Sequence, residues 1–183
     1  TYAGGGGLVG LGASVSLLDK TSRTLAEVAP DAHLTALGSV AGDAANPSGD
    51  VTILAGNTHS LKAEALGAAV GLGGIGAAVA HANEGASATA QVGDRAVITA
   101  KSLDVHGRSS TTTSAKATAA AGGIVSGAGA AAQATGRASA SATLGQNVQV
   151  TTTGGLTQVR ADIDPVTRSQ ALGVAVSAGV SIG

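Results

Sequence analysis

An alternation of small and polar residues that returns at long spacing constrains this chain more than any other feature. Over residues 86–92 the even positions hold Ala86, Ala88, Ala90 and Val92, and the odd ones hold Ser87, Thr89 and Gln91. Fifty-two residues later, 138–144 repeat the pattern with Ala138, Ala140, Ala142 and Leu144 against Ser139, Ser141 and Thr143. The same period of two runs through Ala115, Ala117, Ala119 and Ala121, and through Val159, Ala161 and Ile163 with Arg160, Asp162 and Asp164 between them. A helix would scatter these polar residues around its circumference. A strand gathers them on one face, so the pattern predicts half-buried β-strands despite the abundance of alanine.

The alternating segments belong to longer units. Val92-Gly93 aligns with Leu144-Gly145, and Ala96-Val97-Ile98 with Val148-Gln149-Val150. Sixty-four residues upstream, Val28 matches Val92, and Thr35-Ala36 matches Thr99-Ala100. A Gly/Ala block precedes each copy, at 3–16, 63–82, 117–134 and, truncated, 171–183. Ser60-Leu61-Lys62-Ala63 has an echo 54 residues on in Ser114-Ala115-Lys116-Ala117, and Ser169 follows 55 further. Self-similarity of this length is the mark of stacked-repeat architecture. The whole chain, 1–183, reads as one repetitive segment with copies at about 1–59, 60–113, 114–168 and a partial 169–183. Both ends fall inside a copy, as expected of a slice from a longer array.

Composition sets how such units pack. Forty alanines and 29 glycines leave more than a third of the 183 positions with no side chain beyond a methyl group. Tyr2 is the only aromatic residue, and Met and Cys are absent. Cores are ordinarily filled by large interlocking side chains. This one must bring backbone close to backbone. Together these observations predict an all-β fold, a β-solenoid of right-handed parallel β-helix type built of Gly/Ala-rich rungs. Rungs of about 20 to 30 residues would give about two rungs per repeat. Ile53, Ile75, Val79, Val92, Ile98, Leu103, Val105, Leu144, Val148, Val150 and Ile163 are expected to point inward as aliphatic stacks. Turn signals fall at Asn46 to Asp50, Gly93-Asp94, Gly107-Arg108, Gly145-Gln146-Asn147, Gly154-Gly155 and Asp164-Pro165. Period two leaves strand direction open, so an antiparallel hairpin stack within the Gly/Ala blocks stands as the rival arrangement.

The alternating strands, the Gly/Ala block at 67–80 and the V-x-V/I-x-A strands resemble the repeat regions of very large secreted bacterial exoproteins. These are the filamentous-haemagglutinin-like and leukotoxin-like repetitive adhesins and autotransporter passengers. The resemblance covers essentially the whole chain and rests on composition and periodicity rather than on a diagnostic motif. It implies an extracellular or cell-surface β-solenoid stalk with no catalytic residues. Absence of cysteine suits a secreted chain that stays unfolded during export.

Chemistry-bearing residues are sparse. His33, His59, His81 and His106 lie about 22 to 26 residues apart. At one-rung spacing they would stack on one face and bind a metal or sense pH. Solvated positions between inward residues are the plainer reading. Asp162 and Asp164 share a strand face, but the Gly-rich calcium repeat is missing and Asp43 and Asp50 fall in expected loops apart from that pair. The triplets 111–113 and 151–153 occupy different places in their repeats, so no ordered threonine array of ice-binding type is expected. Gly71-Leu72-Gly73-Gly74-Ile75-Gly76 matches a dinucleotide fingerprint in letters only, since no helix cap follows.

We therefore expect no catalytic, cofactor-binding or metal-binding residues. The charge balance of −1, with no basic stripe and one aromatic, excludes a nucleic-acid surface. The charge-free run at 65–80 is 16 residues long, short of the ~20 a spanning helix needs, so membrane insertion is not expected. The expected partners are neighbouring repeats or identical subunits stacked end to end. The expected role is structural, giving length and rigidity to a filament. The alternative is adhesion to host or cell-surface molecules through loops such as 38–49.

Overall fold

The computed structural model describes residues 1–38 and 49–182. Seven strands account for nearly all of them: β1 (Tyr2–Val28), β2 (His33–Ala36), β3 (Asp50–Val92), β4 (Val97–Ala100), β5 (Ser102–Leu144), β6 (Gln149–Thr152) and β7 (Thr157–Ile182). The fold is all-β. The long strands form one sheet in the order β1-β3-β5-β7, and the short ones form a second, β2-β4-β6. Every pairing is parallel, including those through the Gly/Ala blocks. The antiparallel rival is therefore excluded.

Register follows the repeat. Val28 lies opposite Val92, and Val92 opposite Leu144. In the short sheet Thr35 lies opposite Thr99, and Thr99 opposite Thr151. Each residue thus pairs one full copy away, so a repeat is one layer of the stack and not two. The expectation of two rungs assumed rungs of ordinary length; these strands are 43 residues long in β3 and β5. The alignment of Ser60 with Ser114 and Ser169 is also corrected. Ala63 pairs with Ala115, and Ala115 with Ser169. Two turn signals fail as well: Gly107 lies within β5 and Pro165 within β7. Proline is tolerated on an outer strand because one side of that strand needs no N–H donor.

A strand this long buries itself. A Cβ placed on Gly67 would overlap the carbonyl oxygen of Ala77, and one on Gly12 would overlap that of Ala68 in the next layer. Similarly, Gly76 abuts Ala120 and Gly107 abuts Ser141. The two halves of each long strand therefore face one another, related about a bend at Gly71–Gly73 in β3. The inward parity changes there. Ala63, Ala65 and Ala69 are buried before the bend, and Ala78, Ala80 and Ala82 after it.

The interior tapers toward the bend. Farthest from it lies an aliphatic cluster of Ile53, Val92, Ile98, Leu103 and Val105, against which Val148 and Val150 pack. Next come the buried polar side chains Asn57, Glu84, Ser109, Thr111 and Thr113. Beyond these is a cluster built almost wholly of alanine, including Ala63, Ala80, Ala82, Ala117 and Ala119. Nearest the bend only small side chains fit between the halves: Ala69, Gly74, Gly76 and Ser126 are all buried. This explains the failed inward assignments. Ile75 and Val79 are 58% and 41% exposed because the inward slots beside them hold Gly74, Gly76, Ala78 and Ala80. Leu144 and Ile163 pair with Val92 and Ser109, which are buried, yet both are exposed in the outer part of the stack.

The taper makes a sharp prediction. Gly76→Val drives a side chain into the Ala120 backbone, whereas a Cβ on Gly73 meets nothing within 4 Å. Thermal melts should show Gly76→Val destabilised by about 3 kcal/mol or more, with Gly73→Val close to the parent.

Candidate functional site

The polar residues are arranged by the same alternation. Outward positions carry ladders of paired charges between layers. At the turns after the long strands, Asp31, Arg95 and Asn147 each adopt a left-handed backbone, with φ of 59°, 58° and 57°. They occupy corresponding places in three successive layers. Arg95 donates from Nε and a terminal nitrogen to the Asp31 carboxylate, both at 2.6 Å. The Asp94 carboxylate accepts from the Gln146 backbone N–H at 2.7 Å. The turns are thus stitched layer to layer by carboxylates.

A second ladder runs along the outer face of β5 and β7. Arg160 donates to Asp104 at 2.8 and 3.3 Å, and His106 Nε2 lies 2.7 Å from Asp162. His106, Arg160 and Asp162, with Arg108 and Asp164, line a shallow open concavity. Opposite charges alternate along it, so it neutralises itself and offers no field of one sign to a ligand. Asp162, singled out as one of a carboxylate pair with Asp164, is held by the histidine instead. Among the described residues no three His, Cys, Asp or Glu side chains converge as a metal set.

The histidines do not stack. His33 is on β2, His59 and His81 are both on β3, and His106 is on β5. Their register partners are Val97, Thr111, Gln133 and Leu54. A spacing of 22 to 26 residues would align them only if a layer were that long. Because the layer is the whole repeat, the spacing distributes them around its perimeter.

The buried polar band is the part that sequence reasoning missed. Thr113 donates to Glu84 Oε2 at 2.8 Å across the interior. Asn57 donates to Ser22 at 2.9 Å, and Lys20 Nζ lies 2.7 Å from His59 Nδ1. Glu84 is 1% exposed. Its signal was present, because position 84 shares the parity of Ala80, Ala82, Ala86 and Ala88. Thr111 and Thr113 are likewise interior, which leaves only Thr112 of that triplet facing out. The Gly-x-Gly-x-x-Gly letters at 71–76 form the bend inside β3 and open no helix.

The turn ladder generates a titration prediction. The guanidinium of Arg95 hydrogen-bonds the Asp31 carboxylate and, with its charge, holds that carboxyl below its ordinary range. Because the folded value is depressed, the contribution to stability is present above the ordinary carboxylate range and fades as pH falls through the depressed value. Arg95→Ala should return Asp31 to the ordinary range, read by carbonyl-carbon NMR titration. An unmoved Asp31 would contradict the ladder.

Comparison with family models, with characterised proteins and with solved structures gives no match to this chain. The functional reading therefore rests on geometry alone.

Proposed function

We propose that this chain is a structural segment of a filamentous extracellular or cell-surface protein, folded as a flattened β-solenoid with one full repeat per turn. The observation that carries the reading is the parallel register at full-repeat spacing from β1 through β7 and from β2 through β6, with a shift only at Gly123/Val125. A right-handed course follows the handedness that parallel crossovers adopt. No enzymatic role is proposed, since the polar groups are spent on ladders between layers.

The dimensions favour stiffness over reach. Adjacent strands lie roughly 4.8 Å apart, so each layer spends 52 to 64 residues for about that much axis. Each half of a long strand runs roughly 60 Å at about 3.3 Å per residue. A stack that is wide in one direction resists bending in that direction. Neighbouring repeats are the natural partners of such layers. Hydrogen exchange on the intact chain tests the arrangement. Amides at 66–92 of β3 and 103–127 of β5 should be protected on both sides of the bend, since those stretches are paired on both edges. Rapid exchange across 74–90 or 105–120 would overturn it.

A second reading, adhesion through the 38–49 segment, has one observation in its favour. The first spacing exceeds the second by the difference between 64 and 52, and the excess falls wholly between β2 and β3. Residues 39–48 lie outside the described residues. Their flanks meet: Gly49 sits against Gly38, with φ of 70° and 86°, and Lys101 N–H donates to the Gly49 carbonyl at 2.8 Å. The layer thus closes without the intervening residues. Joining Gly38 to Gly49 should leave the melting temperature nearly unchanged. Loss of attachment to cell surfaces would support the adhesive role, and undiminished attachment would remove it.

A further inference from the structure

Charge is segregated on this molecule, and the bend edge carries none. No Asp, Glu, Lys or Arg lies within 2–18, 65–80, 117–136 or 169–182. These four stretches are stacked on one another by register. Because the interior near the bend admits only small residues (glycine, alanine and serine), the large aliphatic side chains of these stretches stand outside. Leu11, Val70, Leu72, Ile75, Val125 and Ile182 are each more than half exposed. The Val9–Gly73–Val125–Val180 row continues across all four layers. An apolar patch of this extent marks an interaction surface.

What flanks the edge identifies the occupant. On one face Lys62, Lys116 and Arg168 flank the charge-free zone, and on the other Lys20, Arg23 and Arg137 do so, Lys20 half-buried and the rest exposed. Asp19, Glu64 and Glu84 are the carboxylates in the same band; Glu84 is buried, and Glu64 is paired to Lys62 at 2.8 Å. Tyr2, opposite Leu66, sits at the boundary. Aliphatic tip, aromatic boundary and cationic collar are the chemistry of an anionic bilayer surface.

We propose that the bend edge docks on an anionic lipid surface, with the aliphatic tip in the acyl region and the collar at the headgroups. A second copy of the chain fits less well. The tip residues point to both sides of a thin plate, so a facing copy covers one side and brings two cationic collars together. Lipid covers both sides at once. The charge-free depth of the first half is about seven residues, or roughly 23 Å, short of a ~30 Å hydrocarbon core. The edge therefore embeds without spanning. The expectation against insertion, framed for a 20-residue helix, does not bear on a doubled strand.

Flotation of the intact chain with vesicles tests this. The probes are phosphatidylcholine alone and phosphatidylcholine with about one-third phosphatidylglycerol. Binding should be at least about tenfold stronger to the anionic vesicles. Ile75→Asp combined with Val125→Asp should weaken it by about tenfold or more. Lys116→Gln should weaken it about fivefold. Leu54→Asp, at an exposed aliphatic residue far from the bend, should match the parent, with folding of all variants verified by melting. No flotation of the parent, or equal loss in the Leu54 variant, would overturn the proposal. So would a lipid-free dimer, seen by sedimentation, that Ile75→Asp dissolves.

Discussion

The approach of one half of each long strand to the other, close enough that a single Cβ would strike a carbonyl, governs this structure. Gly67 against Ala77 and Gly12 against Ala68 leave room for a hydrogen atom and nothing more. With side chains removed from the gap, cohesion passes to the backbone hydrogen bonds between layers. Those bonds run unshifted through most of the bend; the one irregularity is at Gly123/Val125 in the pairing of β5 with β7. The hydrophobic contribution is concentrated away from the bend, where Ile98, Leu103 and Val105 are fully buried. A thin sandwich of this kind is held by its periodicity more than by any single contact.

Placing polar residues between two apolar clusters follows from the taper. At that depth the gap is too wide for alanine alone and is filled by Asn57, Glu84, Thr111 and Thr113. Burying a carboxylate is costly unless it is hydrogen-bonded. Glu84 receives one such bond, at Oε2 from Thr113 in the next layer, while its Oε1 has no partner. The bond crosses from one half of the strand to the other and from one layer to the next, so it opposes sliding in both directions. Alanine facing alanine has no comparable directional preference, and a slip of two residues would return the same faces inward. The polar band distinguishes the correct register from its neighbours.

Much of this was legible in the sequence. Strand character, inward Ala86 to Val92, inward Ala115 to Ala121, and the pairing of Val28 with Val92 and Leu144 follow from parity and spacing alone. The layer length did not follow, because period two carries no information about where a strand folds back. Ile75 and Val79 were misplaced for the same reason. Parity reverses at the bend, and the Gly-rich block around it has too little alternation to mark the change. Glu84 was legible and overlooked: it shares the parity of Ala82, Ala86 and Ala88, which are buried on either side of it. The ladders of Asp31 with Arg95 and Asp104 with Arg160 needed the register before either partner could be named.

Outward aliphatic residues at the bend are not a by-product of the narrow interior. Packing dictates only what lies inside, which is glycine, alanine and serine. The outward positions are unconstrained by the opposite half, and Thr118, opposite Leu66, is accommodated at one of them. Threonine or serine throughout would satisfy the same backbone and favour strand structure equally well. The chain instead places Leu, Val and Ile outward at the bend of every layer while keeping each charge several residues away. Exposed aliphatic surface costs solubility and has no structural benefit in an isolated layer, so a second medium must compensate for it. The physical problem at the bend is therefore one of environment, and the segregation of charge along all four layers is what points to its solution.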